Sequence, residues 1–137
     1  MITINESSGV PIYLQVVEGL RCEILGGVYG PDDRLPSIRE LAVGLTLNPN
    51  TVARAYQELE TLGVIYFKRG QGAFVAPHTK EERMREATKE IIVKVRELIE
   101  SALRLGLSRD SLRDIFQECL GSKPEKHGQP NDRINRD

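Results

Sequence analysis

Two short helices joined by a tight turn are predicted within residues 37–63, and this pattern constrains the fold more than any other. Ser37 and Glu40 have capping-box spacing, in which the hydroxyl accepts from a free helix N–H and the carboxylate reaches back. Asn48 followed by Pro49 marks a second helix start, because asparagine caps well and proline fits the first helical position. Gly63 ends that second helix. Two helices joined in this way are typical of a helix-turn-helix.

Each predicted helix has one apolar face. The first helix carries Ile38, Leu41, Ala42 and Leu45 on that face, and the second carries Val52, Ala55, Tyr56, Leu59 and Leu62. Asn50, Arg54 and Gln57 lie outside the second stripe, with Thr51 beside them. Asparagine and glutamine can pair with adenine edges, and arginine with guanine or phosphate. The polar face therefore has the chemistry of a helix that reads DNA.

A β-hairpin is predicted directly after these helices. Residues 64–69 and 73–76 are short β-prone runs, joined by Gly70, Gln71 and Gly72. A hairpin at this position would be the wing of a winged helix, with Lys68 and Arg69 beside phosphates and the glycines close to the minor groove. A plain hairpin turn is the alternative interpretation. A lone G-x-G without a following helix is weak evidence for a phosphate-binding loop.

Residues 10–75 resemble the DNA-binding domain of the GntR family of bacterial transcription regulators. The matching residues are Leu35, Pro36, Ser37, Arg39, Leu41, Ala42, Asn48, Pro49, Asn50, Thr51, Val52, Ala55, Tyr56, Leu59, Gly63, Gly70, Gly72, Phe74 and Val75. The short helical remainder resembles the YtrA-like subfamily, which lacks the large effector domain of its relatives. The resemblance implies a transcription regulator, most simply a repressor, that binds double-stranded DNA.

DNA contacts are predicted at the start of the first helix, on the second helix and on the wing. The candidates are Arg34, Ser37, Arg39, Asn48, Asn50, Thr51, Arg54, Gln57, Lys68, Arg69, Gly70, Gln71 and Gly72. Ser37 and Asn48 are helix caps first, so a DNA role for either is additional. The resemblance implies a DNA contact for Arg39. It also implies a lost contact at Pro49, where some family members carry a base-reading arginine.

The net charge of −1 does not by itself indicate a nucleic-acid binder. Residues 1–77 hold six Lys/Arg against eight Asp/Glu, but five of these six cations fall within the helix-turn-helix and the wing. DNA affinity must therefore come from the placement of charge, and we expect modest affinity per monomer and a need for a dimer.

The N-terminal part is predicted to support this domain. Residues 1–10 read as a polar lead-in, and residues 11–26 as a helix with Tyr13, Val17, Leu20 and Ile24 on one face. Tyr13 is interpreted as a packing residue, and Cys22 lies off the apolar stripe.

The second half is predicted to be a helical dimerisation region at residues 78–120, following a winged helix-turn-helix at 1–77 and preceding a disordered tail at 121–137. The fold class is mainly α with a small β-hairpin, and the C-terminal part forms an antiparallel helical hairpin. The proposed dimerisation residues are Met84, Ile91, Val95, Leu98, Ala102, Leu105, Leu112, Ile115 and Phe116. Two helices cannot cover such wide stripes, which favours a homodimer over packing onto residues 11–26 as a monomer.

Other classes of function find little support in the sequence. No Cys/His/Asp cluster has metal-ligand spacing and no nucleophile has an activating context, so no enzyme, metal or cofactor is predicted. No apolar run is long enough to span a membrane, and Cys22 and Cys119 read as free thiols in the cytoplasm. Two alternatives stay open: a winged helix that binds another protein, and a ligand- or thiol-responsive sensor. A small-molecule effector is unknown.

Overall fold

The computed structural model describes residues 1–121 of the chain, which contain helices and one small sheet. The elements in order are α1 (Ile12–Leu25), α2 (Ile38–Leu45), α3 (Pro49–Thr61), β1 (Ile65–Lys68), β2 (Gly72–Val75), α4 (Lys80–Arg104) and α5 (Arg109–Gly121). The mainly helical class with a β-hairpin is therefore confirmed. The chain divides into two compact units, Met1–Lys80 and a second unit from Glu81 onward. Apart from Gly121, the predicted tail at 121–137 lies outside the described residues.

The first unit is built around one apolar core to which α1, α2, α3 and the hairpin all contribute. Its buried side chains are Val16, Val17, Leu20, Ile24, Leu35, Ala42, Val52, Ala55, Tyr56, Leu59, Ile65, Ala73 and Val75. Complete burial of one large apolar side chain contributes roughly 1.5–3 kcal/mol, so this core is the main source of the unit's stability. One predicted position is wrong: Leu62 follows α3 and is 45% exposed.

The N-terminal residues are more ordered than a polar lead-in, because they pack along α1. Ile2 and Ile4 contact the core, and a Cβ on Gly19 would lie 2.8 Å from Ile2. The Gln15 side chain accepts from the Asn5 N–H (2.8 Å) and donates to the Asn5 carbonyl (2.9 Å). These contacts hold the N-terminal segment against α1.

The hairpin is antiparallel, with Ile65 paired to Val75 and Lys68 to Gly72. Strand β1 is shorter than the predicted run 64–69, and β2 has the predicted length but begins and ends one residue earlier than 73–76. A segment that the sequence did not predict extends the sheet: Arg34 pairs with Phe74, and the Leu35 N–H donates to the Ala73 carbonyl at 2.9 Å. Residues 32–35 thus add a third short segment at the edge of β2.

The second unit consists of α4 and α5. Gly106 follows α4, and the Ser108 hydroxyl caps α5 by accepting from the Ser111 N–H at 3.1 Å. Ala102 and Leu112 are the buried apolar residues of these two helices within residues 1–121. Over the same residues, no helix combines the length and the apolar character needed to cross a membrane.

Candidate nucleic-acid interface

The turn between α2 and α3 is fixed by local hydrogen bonds at both ends. At the start of α2, Ser37 Oγ accepts from the Glu40 N–H (3.1 Å), and a Glu40 carboxylate oxygen accepts from the Ser37 N–H (2.8 Å). These bonds to Ser37 lower the pKa of Glu40, and the nearby Arg34 charge lowers it further. At the start of α3, Asn48 Oδ1 accepts from the Asn50 N–H at 2.9 Å. Both predicted caps are confirmed.

The end of α2 has an unusual residue for its conformation. The Leu47 N–H donates to the Ala42 carbonyl and the Thr46 N–H to the Val43 carbonyl, which is the Schellman pattern. Thr46 takes the left-handed position of that motif with φ of 54°. This turn sets the direction in which α3 leaves α2.

Tyr56 joins the two helices across the turn. Its ring is 1% exposed, and its hydroxyl donates to the Pro36 carbonyl, one residue before the α2 cap, at 2.6 Å. Burial raises the pKa of Tyr56, so the phenol stays protonated as a donor. The bond therefore holds the start of α2 against α3.

The outward face of α3 carries the polar residues that the sequence placed there. Asn50, Arg54 and Gln57 are exposed, and Thr51 is half-buried beside them. The opposite face of the helix is buried in the core. Amide and guanidinium groups on an exposed helix face can form paired hydrogen bonds with base edges in a major groove.

Arg54 does not extend freely into solvent. Its guanidinium carbon lies 3.9 Å from the centroid of the Tyr13 ring, which projects from the first turn of α1. Tyr13 is itself half-buried against the core, as the sequence predicted for a packing residue. The sequence gave no signal for its second contact, because the distance between the two residues depends on how α1 packs on α3.

The solvent face of the wing combines two cations with two aromatic rings. Directly paired residues share a face of a sheet, so Arg34, Tyr66 and Phe74 lie together. The rings of Tyr66 and Phe74 are 5.7 Å apart, and Lys68 Nζ is 4.7 Å from the centroid of Phe74. The Tyr66 hydroxyl donates to Asp32 at 2.7 Å, and this bond raises the pKa of Tyr66.

The tip of the wing is a tight turn whose residues are exposed to solvent. The Gln71 N–H donates to the Lys68 carbonyl at 3.0 Å, and Gly70 adopts φ of 74°, as the third position of a type II turn requires. Arg69 and Gln71 are exposed on either side of Gly70. A Cβ on Gly72 would lie 3.7 Å from Arg34 Nε, which places that arginine at the base of the tip.

The five cations of this region form no ion pair within residues 1–121. Arg34, Arg39, Arg54, Lys68 and Arg69 are exposed, and none forms an ion pair with any residue in the described part of the chain. In the second unit, Lys89, Lys94 and Arg113 each pair with a carboxylate on their own helix, whereas the exposed Arg85, Arg96, Arg104 and Arg109 form no ion pair within residues 1–121. The positive charge of the helix-turn-helix and wing is thus left available to an anionic partner, despite the chain's overall charge.

The structure brings the thirteen candidate residues to three adjoining elements, α2 with its lead-in, α3 and the wing. Most of them are exposed, whereas Ser37, Thr51 and Gly72 are half-buried. Sequence reasoning missed the contact between Tyr13 and Arg54 and the third segment of the wing. No cluster of His, Cys, Asp or Glu able to hold a metal ion occurs within residues 1–121, and both cysteines are exposed and free.

The predicted dimerisation residues divide into three groups by exposure. Ala102 and Leu112 are buried within the single chain, and their assignment to dimerisation stays a prediction. Val95 and Phe116 are half-buried. The other five are exposed, with exposed fractions from 43% to 82%: Met84, Ile91, Leu98, Leu105 and Ile115.

Comparisons with known proteins agree with this arrangement. The family model described as bacterial regulatory proteins, gntR family, matches residues 12–75. The HTH-type transcriptional repressor YtrA of Bacillus subtilis is 36% identical over 132 residues, which cover 96% of this chain and 100% of that protein.

Two solved structures are similar to the chain over different lengths. A GntR family transcriptional regulator from Listeria monocytogenes has a TM-score of 0.65 and 31% identity, covering 84% of this chain and 98% of its own. The DNA-binding domain of AraR, solved in complex with operator ORX1, has a TM-score of 0.51 and 28% identity, covering 56% of this chain and 95% of its own.

Proposed function

The chain belongs to the GntR family of bacterial regulatory proteins, and on that basis we propose that it is a sequence-specific repressor that binds a pseudo-palindromic operator as a homodimer. The family and its relatives are transcription regulators and not enzymes, so no catalytic residue is assigned. We expect the protein to act in the cytoplasm, where bacterial DNA lies.

The observation that carries this proposal is the open polar face of α3 beside cations that form no ion pair within residues 1–121. Asn50, Arg54 and Gln57 point away from the core, while Arg39 and Arg69 lie exposed on α2 and the wing. A protein that binds DNA gains affinity by neutralising phosphates with free lysine and arginine side chains. Internal ion pairs would weaken that gain, and here they are absent from all five cations among the described residues.

The proposed docking follows from the three elements. The helix α3 enters the major groove with its N-terminal turn first, so Asn50, Arg54 and Gln57 face base edges. The start of α2, with Ser37 and Arg39, lies on the sugar–phosphate backbone. The wing reaches the minor groove, where Gly70 permits close approach. The AraR domain, which shares this fold, was solved on operator DNA.

Two copies are proposed to bind one operator. Exposed apolar residues on α4 and α5, among them Ile91 and Leu98, support a dimer through the second unit. Two α3 helices related by a twofold axis would read half-sites about 34 Å, or a multiple of this distance, apart. Occupancy of such a site within a promoter would block transcription.

Fluorescence anisotropy with the duplex upstream of the protein's own gene tests the proposal. Wild-type protein should bind this duplex more tightly than a scrambled duplex of equal length, and its affinity should fall steeply with salt. Arg39→Ala and Arg54→Ala should each weaken binding about fivefold or more, since each removes a charged contact worth roughly 1–3 kcal/mol.

The matched control is Arg113→Ala, which removes one arginine from an exposed ion pair in the second unit and should bind like wild type. Unchanged affinity in both Arg39→Ala and Arg54→Ala would show that the assigned face is wrong. A DNA affinity that does not change with salt concentration or with duplex sequence would instead favour the alternative of a protein-binding winged helix.

A further inference from the structure

We infer that Tyr13 is a positioning residue for DNA recognition, because its ring holds the guanidinium of Arg54 in place on the α3 face. The inference rests on the proposed function and deepens it. Arg54 is exposed, yet its guanidinium carbon lies only 3.9 Å from the Tyr13 centroid. This distance is well inside the range of about 6 Å within which a cation is attracted to a ring face.

The support beneath Arg54 is rigid. Tyr13 is half-buried and packs against the core, in the same helix as the fully buried Val16 and Leu20. An arginine side chain carries roughly 2 kcal/mol of rotamer entropy, so a free arginine loses much of its binding energy on being ordered. Stacking on an anchored ring removes part of that loss before DNA arrives.

The stack also leaves the hydrogen-bonding capacity of Arg54 intact. The guanidinium carbon lies over the ring, whereas the N–H donors extend outward from that carbon in the guanidinium plane. Arg54 has no ion pair or hydrogen bond to another residue within 1–121. A carboxylate in the place of Tyr13 would fix the arginine equally well, but it would compete with phosphate or guanine for the same donors. An aromatic ring orients the charge without neutralising it.

The experiment compares Tyr13→Leu, Tyr13→Phe, Arg54→Ala and the double variant Tyr13→Leu/Arg54→Ala in the full chain. Binding is measured by anisotropy to a duplex selected by the wild-type protein from a random library, with a scrambled duplex as reference. Tyr13→Leu should weaken specific binding about two- to fivefold for each bound subunit, the range expected for an exposed cation–ring contact. Tyr13→Phe should bind like wild type, since the ring face is retained.

The double variant separates positioning from a general effect on folding. In the Arg54→Ala background, Tyr13→Leu should cause no further loss, because the group it positions is gone. Two results would overturn the inference while leaving DNA binding intact. One is that Tyr13→Leu weakens binding as much in the Arg54→Ala background as in the wild type, and the other is that Tyr13→Phe binds more weakly than wild type. If the wild-type protein selects no duplex over the scrambled one, the proposed function fails and the inference falls with it. Circular dichroism at the assay temperature identifies loss of binding caused by unfolding.

Discussion

Thr46 occupies a backbone conformation that glycine usually fills. The same pair of Schellman hydrogen bonds ends α1, α3 and α4, and there the left-handed residue is Gly27, Gly63 or Gly106. Thr46 has φ of 54° in the corresponding position after α2. A β-branched side chain is strongly disfavoured in this region, at a cost of roughly 1–2 kcal/mol. Strain is therefore stored in the turn that sets the direction of α3.

Thr46→Gly should raise the free energy of unfolding by about 0.5–1 kcal/mol, because the relief of strain exceeds the entropy that glycine loses on folding. Urea denaturation followed by circular dichroism measures this. Thr61→Gly is the control and should destabilise the protein, since Thr61 is helical and its hydroxyl donates to the Gln57 carbonyl at 3.0 Å. A destabilised Thr46→Gly variant would mean that the threonine side chain contributes a contact worth more than the strain.

Residue-level prediction from the sequence worked where the signal is local. Helical spacing placed Arg54 and Gln57 on the open face of α3, and the structure agrees. The contact between Arg54 and Tyr13 had no such signal, because it joins residues far apart in the chain. Its existence depends on how closely two helices pack, which spacing within either helix does not specify.

Among the elements, the helices whose ends are marked by capping residues close in sequence could be predicted well. The helices α2 and α3 are capped by Ser37 and Asn48, as the capping patterns predicted. The third segment of the wing was missed, because Arg34 and Leu35 pair with β2 only through long-range backbone bonds. Three successive polar residues precede Leu35, so residues 32–35 lack the alternation that predicts a strand.

The capping box of α2 should make stability depend on pH. Because the folded-state pKa of Glu40 is lowered, its carboxylate stabilises the fold above the unfolded-state pKa, near 4.5, and this stabilisation is lost as pH falls through the lower folded value. Glutamine keeps an acceptor for the Ser37 N–H but does not titrate. The free energy of unfolding of the wild type should therefore fall relative to that of Glu40→Gln between pH 7 and pH 3.5.

Chemical denaturation at the two pH values measures the difference between these two proteins. Glu60→Gln makes the same chemical change at an exposed carboxyl outside the capping box, and it serves as the control. A difference between wild type and Glu40→Gln that stays constant with pH would show that the Ser37 hydrogen bonds add nothing in solution.

At the scale of the whole molecule, the net charge of −1 hides where the unpaired cations lie. The cations of the helix-turn-helix and wing form no ion pair within residues 1–121, while Lys89, Lys94 and Arg113 pair within their own helices and other cations of α4 and α5 do not. The sequence predicted that placement of charge would matter. Which cations stay unpaired depends on side-chain geometry and required the structure.

The exposed apolar residues of the second unit lead to a prediction about assembly. Leu98 is 59% exposed on α4, and burying such a side chain between two copies contributes roughly 1.5–3 kcal/mol. Light scattering with size-exclusion chromatography should give wild type twice the chain mass of 15.4 kDa. Leu98→Glu should shift this mass toward one chain, because two carboxylates would have to be buried. Val28→Glu, at a 64% exposed valine of the first unit, should remain dimeric.

Operator affinity should fall with Leu98→Glu even though α3 is untouched, since each half-site must then be bound separately. The wild-type protein could instead prove monomeric in solution and still select a duplex with two half-sites. That result would show that the two copies come together only on the DNA and not through α4.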